Sequence, residues 1–486
     1  MSLSGALSGA MSGLTASSRA ASLVASNIAN ATTESYGRRV LETSSRGSGG
    51  LGGVTVDGVL RLVDAAVLSD RRLSDAGSGY AEGMEAFVTR FEALVGESGA
   101  LGSLTGLYSA FETALVSATA DPASTQRLQT LAQSALDFTD KLNTLSTELQ
   151  QERVSADKAI ASHVDALNTG LERVRALNDA IADTVIRSGD ASSLMDERQR
   201  VIDEMSTIVP LRVVERKFGA QAIYAASGRV LLDPSVNRVP AKIGFAATGA
   251  ISADMTLAGG VLSGLTIDDV AITSSNAGPL GGGALGAQLQ IRDSLAPDLQ
   301  AGLDGLARDL IARFGPGGPD TTLAATDPGL FTDAGAVFDP LDEAGLAGRV
   351  TLNALVVPEG TGTWRLRDGL GATAQGPVGD ATLLAGYTSA LETLSVPASP
   401  ALGTGSKGFA QHVAELHSAL ALTRVRAEDE LSFAQARNTA LRELELSQGV
   451  DTDAELQALM RIEQSYAANA RVISVIDELM QRLMAI

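Results

Sequence analysis

Two apolar ladders with a seven-residue repeat lie near opposite ends of the sequence. A seam of this kind is stable only against another helix. The first ladder is Leu3, Leu7, Ala10, Leu14, Ser17, Ala21, Val24 and Ile28. The second is Leu459, Ile462, Tyr466, Asn469, Ile473, Ile476, Met480 and Leu483. Each advances by alternating steps of three and four. The two end helices are natural partners, within one subunit, between subunits, or both. Two ordinary amphipathic helices packed on a globular body would give the same pattern. Ser17 and Asn469 are polar seam positions, which weaken a coiled coil but fix its register.

Between the seams the period changes several times. The glycine-rich stretch "RGSGGLGG" at 46–53 predicts a hinge. In "VTVDGVLRLVD" the pair Asp57-Gly58 predicts a hairpin turn. Met84, Phe87, Val88, Phe91, Leu94 and Val95 mark a helix. Asp121-Pro122 reads as the start of a long one, through Ile160, Val164, Leu167, Leu171, Val174, Ile181 and Val185, ending at "RSGD". "SSLMDERQRVIDEMSTIV" begins another. From Pro210, "LRVVERKF", "AIYAAS", "RVLLD" and "ITSS" read as short strands. Helix returns at 283–314, where Pro297 is expected to break or kink it. Residues 315–378 are rich in Gly and Pro, with strand candidates at "RVTLNALVV" and "TWRLRD". Helix resumes near Ala381, and Thr452 with Glu455 has capping-box spacing at the start of the last one.

The expected fold is mainly α and multidomain, with a β-rich insertion. Terminal helices pair as a coiled coil around a helical-bundle body. The expected division is 1–45 for the first seam, then 46–210, 283–314 and 381–450 for the body. Residues 211–282 and 315–380 form the β-rich outer part, and 451–486 the last helix. The nested order puts 315–378 outside, with a tolerant loop at 315–320.

Composition narrows the function. A net charge of −20 repels nucleic acid and anionic lipid. The absence of Cys excludes disulfides, thiol nucleophiles and Cys-based zinc sites. Aromatics are 4%, so the cores are expected to rest on Leu, Val, Ile and Ala. No run approaches the ~20 apolar residues of a membrane span, so no membrane insertion is expected. The first 22 residues have no charge before Arg19 and no long apolar run, unlike a cleavable secretory signal.

Motifs of catalysis do not appear. His412 and His417 are five apart, so "HVAELH" is not the zinc-binding HExxH pattern. Asp451, Asp453 and Glu455 are better explained by helix capping and the helix dipole than by a cation. "GPLGGGALG" lacks the Walker Lys and the dinucleotide glycine spacing. No catalytic set, metal or cofactor is expected, and a structural or interaction role is the better reading.

Three stretches carry a resemblance. "ASNIANATTESYGRRV" at 25–40 resembles the signature of the bacterial flagellar axial family of rod, hook and hook-associated proteins. In that signature a helix ends in "NNxAN", followed by "TPGY" and a basic pair. Asn27, Asn30, Tyr36, Arg38 and Arg39 match, whereas "TESY" replaces "TPGY". "SYAANARVISVIDELMQRLM" resembles the C-terminal signature of the same family. "GVTVDGVLRLVDAAVLSDRR", "SLMDERQRVIDEMS" and the 283–314 segment resemble its hook–filament junction members.

The resemblance implies a structural subunit, not an enzyme, exported uncleaved by the flagellar type III apparatus. It implies self-association into a ring or short zone between hook and filament. The implied partners are the hook protein, an adjoining junction protein on the filament side, and an export chaperone at the C-terminal helix. The implied location is outside the cell, in the flagellum. The expected assembly interface is Leu3, Leu7, Leu14, Val24, Ile28, Asn27, Asn30, Tyr36, Leu459, Ile462, Tyr466, Asn469, Ile473, Ile476, Met480 and Leu483. Two other readings stay open: another axial subunit (hook, rod or second junction protein), or a cell-surface enzyme with its site in the β-rich middle.

Overall fold

The computed structural model describes residues 3–46 and 52–485. Most of the glycine stretch at 46–53 therefore lies outside the described residues. Helix α1 (Leu3–Ala29) leads into strands β1 (Arg38–Ser45) and β2 (Val54–Leu62), which pair antiparallel. Asp57-Gly58 is not a turn. Glu42 pairs with Gly58 and Thr43 with Val56, so Asp57 is the extra residue of a bulge inside one continuous strand.

Helices α2 (Ala65–Val95), α3 (Leu104–Ala120), α4 (Thr125–Ile186) and α5 (Ser192–Ile208) follow. Asp121 closes α3, and the hydroxyl of Ser124 caps α4, three residues after the expected start. The side chain competent to accept from the first turn decides the boundary. At 62 residues α4 is about 93 Å long.

The β insertion packs on the second half of α4. Strands β3 (Leu211–Glu215), β4 (Gln221–Ala225) and β5 (Val230–Leu232) form one antiparallel sheet. Strands β6 (Ile243–Gly244), β7 (Thr266–Ile267) and β8 (Val270–Ala271) form another. "ITSS" itself lies beyond β8 and is not a strand. Helix α6 (Ala284–Gln290) continues through a π-helical turn, Ile291–Leu295, into α7 (Ala296–Phe314). Pro297 does not break this helix. It follows directly on the π-helical turn, where the N–H of Ala296 reaches Ile291 O and the wider turn carries the helix through the proline.

The remainder is β9 (Phe331–Asp333), β10 (Val350–Leu352), α8 (Arg365–Asp368), α9 (Thr382–Glu392), α10 (Phe409–Ser447) and α11 (Thr452–Met484). "TWRLRD" is helix α8 rather than a strand. Apart from β9 and β10, residues 315–381 are turns and short helices. Phe331, Leu346, Val350, Val356 and Leu366 are buried in the same core as α3, α4 and α7. This segment is a cap on the helical body. The loop at 315–320 is anchored, because buried Asp320 accepts from Thr322 and from Leu370 N.

There are two cores, and α4 runs through both. Its first half, through Ala156, packs against α2, α3, α7, α9 and α10. Its second half, from Ile160, packs against α5, α6 and the strands. Seven of the eleven phenylalanines lie in the first core. Phe111, Phe314 and Phe331 meet edge-on or tilted there. The low aromatic content is thus concentrated rather than missing. At the boundary, Arg292 pairs with Asp157 at 2.6 Å, both fully buried, and Arg153 donates to the carbonyls of Arg292, Ser252 and Met255.

Candidate assembly site at the base of the terminal helix pair

Helices α1 and α11 pack along one another. Asn469 of the seam meets Gly13. A Cβ on Gly13 would come within 2.7 Å of the Asn469 amide, so the glycine makes room for the polar side chain. On α1, Val24 and Asn27 are buried, and Leu3, Leu7, Leu14 and Ile28 are partly covered. On α11, Ile476 is buried, and Leu459, Ile462, Asn469 and Ile473 are partly covered. Tyr466, Met480 and Leu483 keep 49%, 46% and 59% of their surface. The structure does not cover these three with α1. Val472, Val475 and Leu479, on an adjacent face of α11, are exposed as well.

Below the pair lies a polar knot. Asn27 sits at the end of α1. Its Nδ2 donates to Arg39 O and to Glu455 Oε2, at 2.9 and 3.0 Å. Its Oδ1 accepts from Arg39 N and from the Tyr36 hydroxyl, at 3.0 and 2.9 Å. Arg38 pairs with Glu455 at 2.7 Å, and only 1% of the Glu455 side chain is exposed. Glu455 therefore does not complete a capping box with Thr452. Asp451 is the cap of α11, accepting from Asp453 N and Ala454 N. Asn30 works locally, donating to Ser26 O at 2.9 Å near the helix end.

The loop that replaces "TPGY" docks on α5. Ser35 has φ +64°, in the left-handed region that favours glycine, and its hydroxyl donates to Asp203 at 3.1 Å. Asp196 accepts from Gly37 N and pairs with Arg39 and Arg61, at 2.6 and 2.7 Å. Arg71 of α2 meets Asp75, Asp203 and Glu445 at 2.6–2.7 Å. Burial works to lower the Arg71 pKa, but these carboxylates outweigh it and hold the guanidinium above its ordinary value. Arg72 is lowered, because burial dominates over the attraction of Asp203. Burial likewise raises Glu445, with Arg71 opposing. A cavity of about 460 Å³ remains among the loop, α2, α5 and the end of α10.

This arrangement binds charge to charge. Among the described residues, no group of three His, Asp or Glu side chains is placed to hold a metal. His412 is buried against the body, and His417 contacts Gly96 O at 3.1 Å. The sequence had not marked Glu455, Asp196, Asp203, Arg61 or Arg71 for this role. The seven-residue spacing of Asp196 and Asp203, which puts both on one face of α5, was the available signal.

Comparison with known proteins agrees with these features. The flagellar hook-associated protein FlgK helical domain matches residues 88–315. The flagellar basal body rod FlgEFG protein C-terminal region matches residues 446–486. Flagellar hook-associated protein 1 of Bacillus subtilis is 22% identical, over 94% of this chain and 93% of that one. Its counterpart in Salmonella typhimurium is 29% identical over 40% of this chain, and the match spans only 36% of that relative's length. A solved structure, the flagellar hook junction protein FlgK from Burkholderia pseudomallei, is 18% identical with a TM-score of 0.43, covering 54% of this chain and 46% of that one. The chain is thus similar to flagellar hook-associated protein 1 over nearly its whole length, and residues 88–315 carry the likeness to the FlgK helical domain.

Proposed function

We propose that this protein is a structural subunit of the bacterial flagellum that polymerises as the junction zone between hook and filament. The observation that carries this reading is the surface of α11. That helix has one seam against α1, yet it leaves Tyr466, Val472, Val475, Leu479, Met480 and Leu483 exposed. An apolar face of this extent on a long helix calls for cover by other helices. Neighbouring copies supply that cover if the terminal pairs assemble side by side. In this reading the whole set from Leu3 to Ile28 and from Leu459 to Leu483 serves assembly. The knot at Asn27, Tyr36 and Glu455 fixes how the pair leaves the body. Export by the flagellar type III apparatus delivers the chain, with a chaperone shielding α11 beforehand. The hook protein and an adjoining junction protein are the partners at either side.

Gold-labelled antibody against residues 88–315, applied to intact flagella, tests the placement. A narrow band at the boundary of hook and filament is expected. Label spread along the hook or along the filament, or no label at all, would overturn it.

A further inference from the structure

The β insertion is basic in an acidic chain. Residues 211–242 carry six basic and two acidic side chains, whereas the whole chain carries a net charge of −20. The two acids are already engaged. Asp233 pairs with Arg216 at 2.7 Å and accepts from the Tyr224 hydroxyl. Glu215 accepts from Gln221, and its charge acts on buried Arg198. Arg212, Lys217, Arg229 and Arg238 are exposed and, among the described residues, form no ion pair or side-chain hydrogen bond. These cations share the outer face of the β3–β5 sheet and the turns around it. Arg212 stands opposite Tyr224, and Tyr224 opposite Val230, on the face turned away from Leu211, Ile223 and the second core. Val214, Val230 and Val236 are exposed among them. Phe218, in the turn between β3 and β4, keeps a left-handed backbone (φ +58°) with 57% of its surface exposed. That geometry is strained for a bulky residue, and strain of this kind collects at functional surfaces. Cations interleaved with exposed apolar side chains suit a protein partner, and their charge calls for an acidic one.

The chain carries the complement on its first core. Residues 97–141 hold five acidic and two basic side chains. Both bases are engaged, Arg127 with Ser117 O and Asp121, and Lys141 with Leu94 O. Glu97, Asp137 and Asp140 are exposed and, among the described residues, have no ion pair. Partial burial, with repulsion from Asp137, raises the Asp140 carboxyl. The Lys141 bond sets this stretch of α4 beside the end of α2 and the loop at 97–103. That loop is braced, with Gly99 N donating to Thr105 Oγ1 at 2.9 Å and Ser103 Oγ to Ala100 O at 2.7 Å, and it presents Leu101 fully exposed. Asn178 of α4 donates to Gln221 O, which fixes the sheet about 57 Å along α4 from Asp140. One subunit therefore cannot bring its own two patches together.

We infer that the basic outer face of the β3–β5 sheet docks on the acidic face at 97–140 of a second copy of this chain, with Leu101 meeting the exposed valines. The two surfaces are different patches, so the contact is head to tail. Repetition of such a contact gives a ring or an open helical array. The inference rests on the polymerising role proposed above and supplies it with a contact outside the terminal helices.

Purified flagella are treated with a carbodiimide, which joins a lysine amine directly to a carboxylate, and the linked peptides are read by mass spectrometry. At a separation of about 57 Å, a link from Lys217 to Glu97, Asp137 or Asp140 forms only between copies. Such links are expected about tenfold above those from exposed Lys158 to the same three residues. The paired change Arg212→Glu with Arg229→Glu should lower the Lys217 yield about tenfold. Adding Asp137→Lys with Asp140→Lys should restore the link from Lys217 to Glu97. All four positions are exposed, so these changes leave folding intact. If the reversed variant folds but does not assemble, recovery of filaments in the fourfold variant supports the contact, and continued loss overturns it. Links from Lys217 to a different flagellar protein, a yield no higher than that of Lys158, or one indifferent to the reversal overturns the inference. If linkage fails while antibody still labels the junction, this inference falls and the proposed function stands. Absent labelling removes the function reading itself.

Discussion

Individual residues in the knot carry more than their share of the architecture. Ser35 occupies a left-handed backbone position that costs a non-glycine residue about 1 kcal/mol, and its bond to Asp203 returns about as much. Ser35→Gly should therefore leave stability nearly unchanged. Ser35→Ala, which keeps the strain and loses the bond, should cost about 1 kcal/mol. Urea denaturation of both variants decides it, and equal losses would refute the assignment. Glu455→Gln removes the charge that holds Arg38, and hydrogen bonds to charged groups are worth about 2 kcal/mol. Amide exchange along α11 should quicken by that amount while exchange in α4 stays fixed. Asp304 gives a pH signature. Burial lifts its carboxyl to about 6, against hydrogen bonds from Ala347, Gly345 and Gln300. The unfolded carboxyl titrates near about 3.9, so the folded state binds this proton more tightly. That contribution is complete below about pH 4 and is lost as pH rises through about 6. The wild type should lose up to about 2–3 kcal/mol relative to Asp304→Asn across that window. Parallel stability curves would show that folding does not raise the Asp304 carboxyl.

At the scale of elements, what could be read from sequence was whatever depends on near neighbours. The seams of α1 and α11, the run from Ile160 to Ile181 in α4, and the α5 helix all follow from periodicity, which is a local property. What could not be read depends on distant contacts. Glu455 has the spacing of a capping box, but Asn27 and Arg38 lie more than four hundred positions away and claim it instead. Asp57-Gly58 has turn chemistry, yet pairing with β1 carries the strand through it as a bulge. The glycines and prolines of 315–381 resemble a loose outer loop, although Phe331 and Val350 are drawn into the aromatic core. The seam itself yields a prediction. Ile473→Asp puts a charge against α1 and should open the terminal pair, at a cost of several kcal/mol. Thermal unfolding of the body should scarcely move, while flagella carrying only this variant lose their filaments. Normal motility with a lowered body transition would assign Ile473 to subunit stability instead.

For the whole molecule, two cores strung on α4 leave the terminal pair as a separate appendage joined through the knot. Surface segments far from both should accept change. The stretch 373–380 is exposed throughout, in contrast to the anchored loop at 315–320. An epitope between Thr373 and Ala374 should leave junction formation intact, as motility would register, and the same epitope next to Asp320 should impair folding. If the proposed function holds, the uncovered face of α11 is completed by neighbouring subunits. Hydrogen exchange of α11, compared between the free subunit and purified flagella, tests it most directly. Val472, Val475 and Leu479 are expected to exchange fast in the free subunit and at least a hundredfold slower after assembly, a gain of about 3 kcal/mol, with α4 unchanged. Equal exchange of α11 in the two states would contradict it.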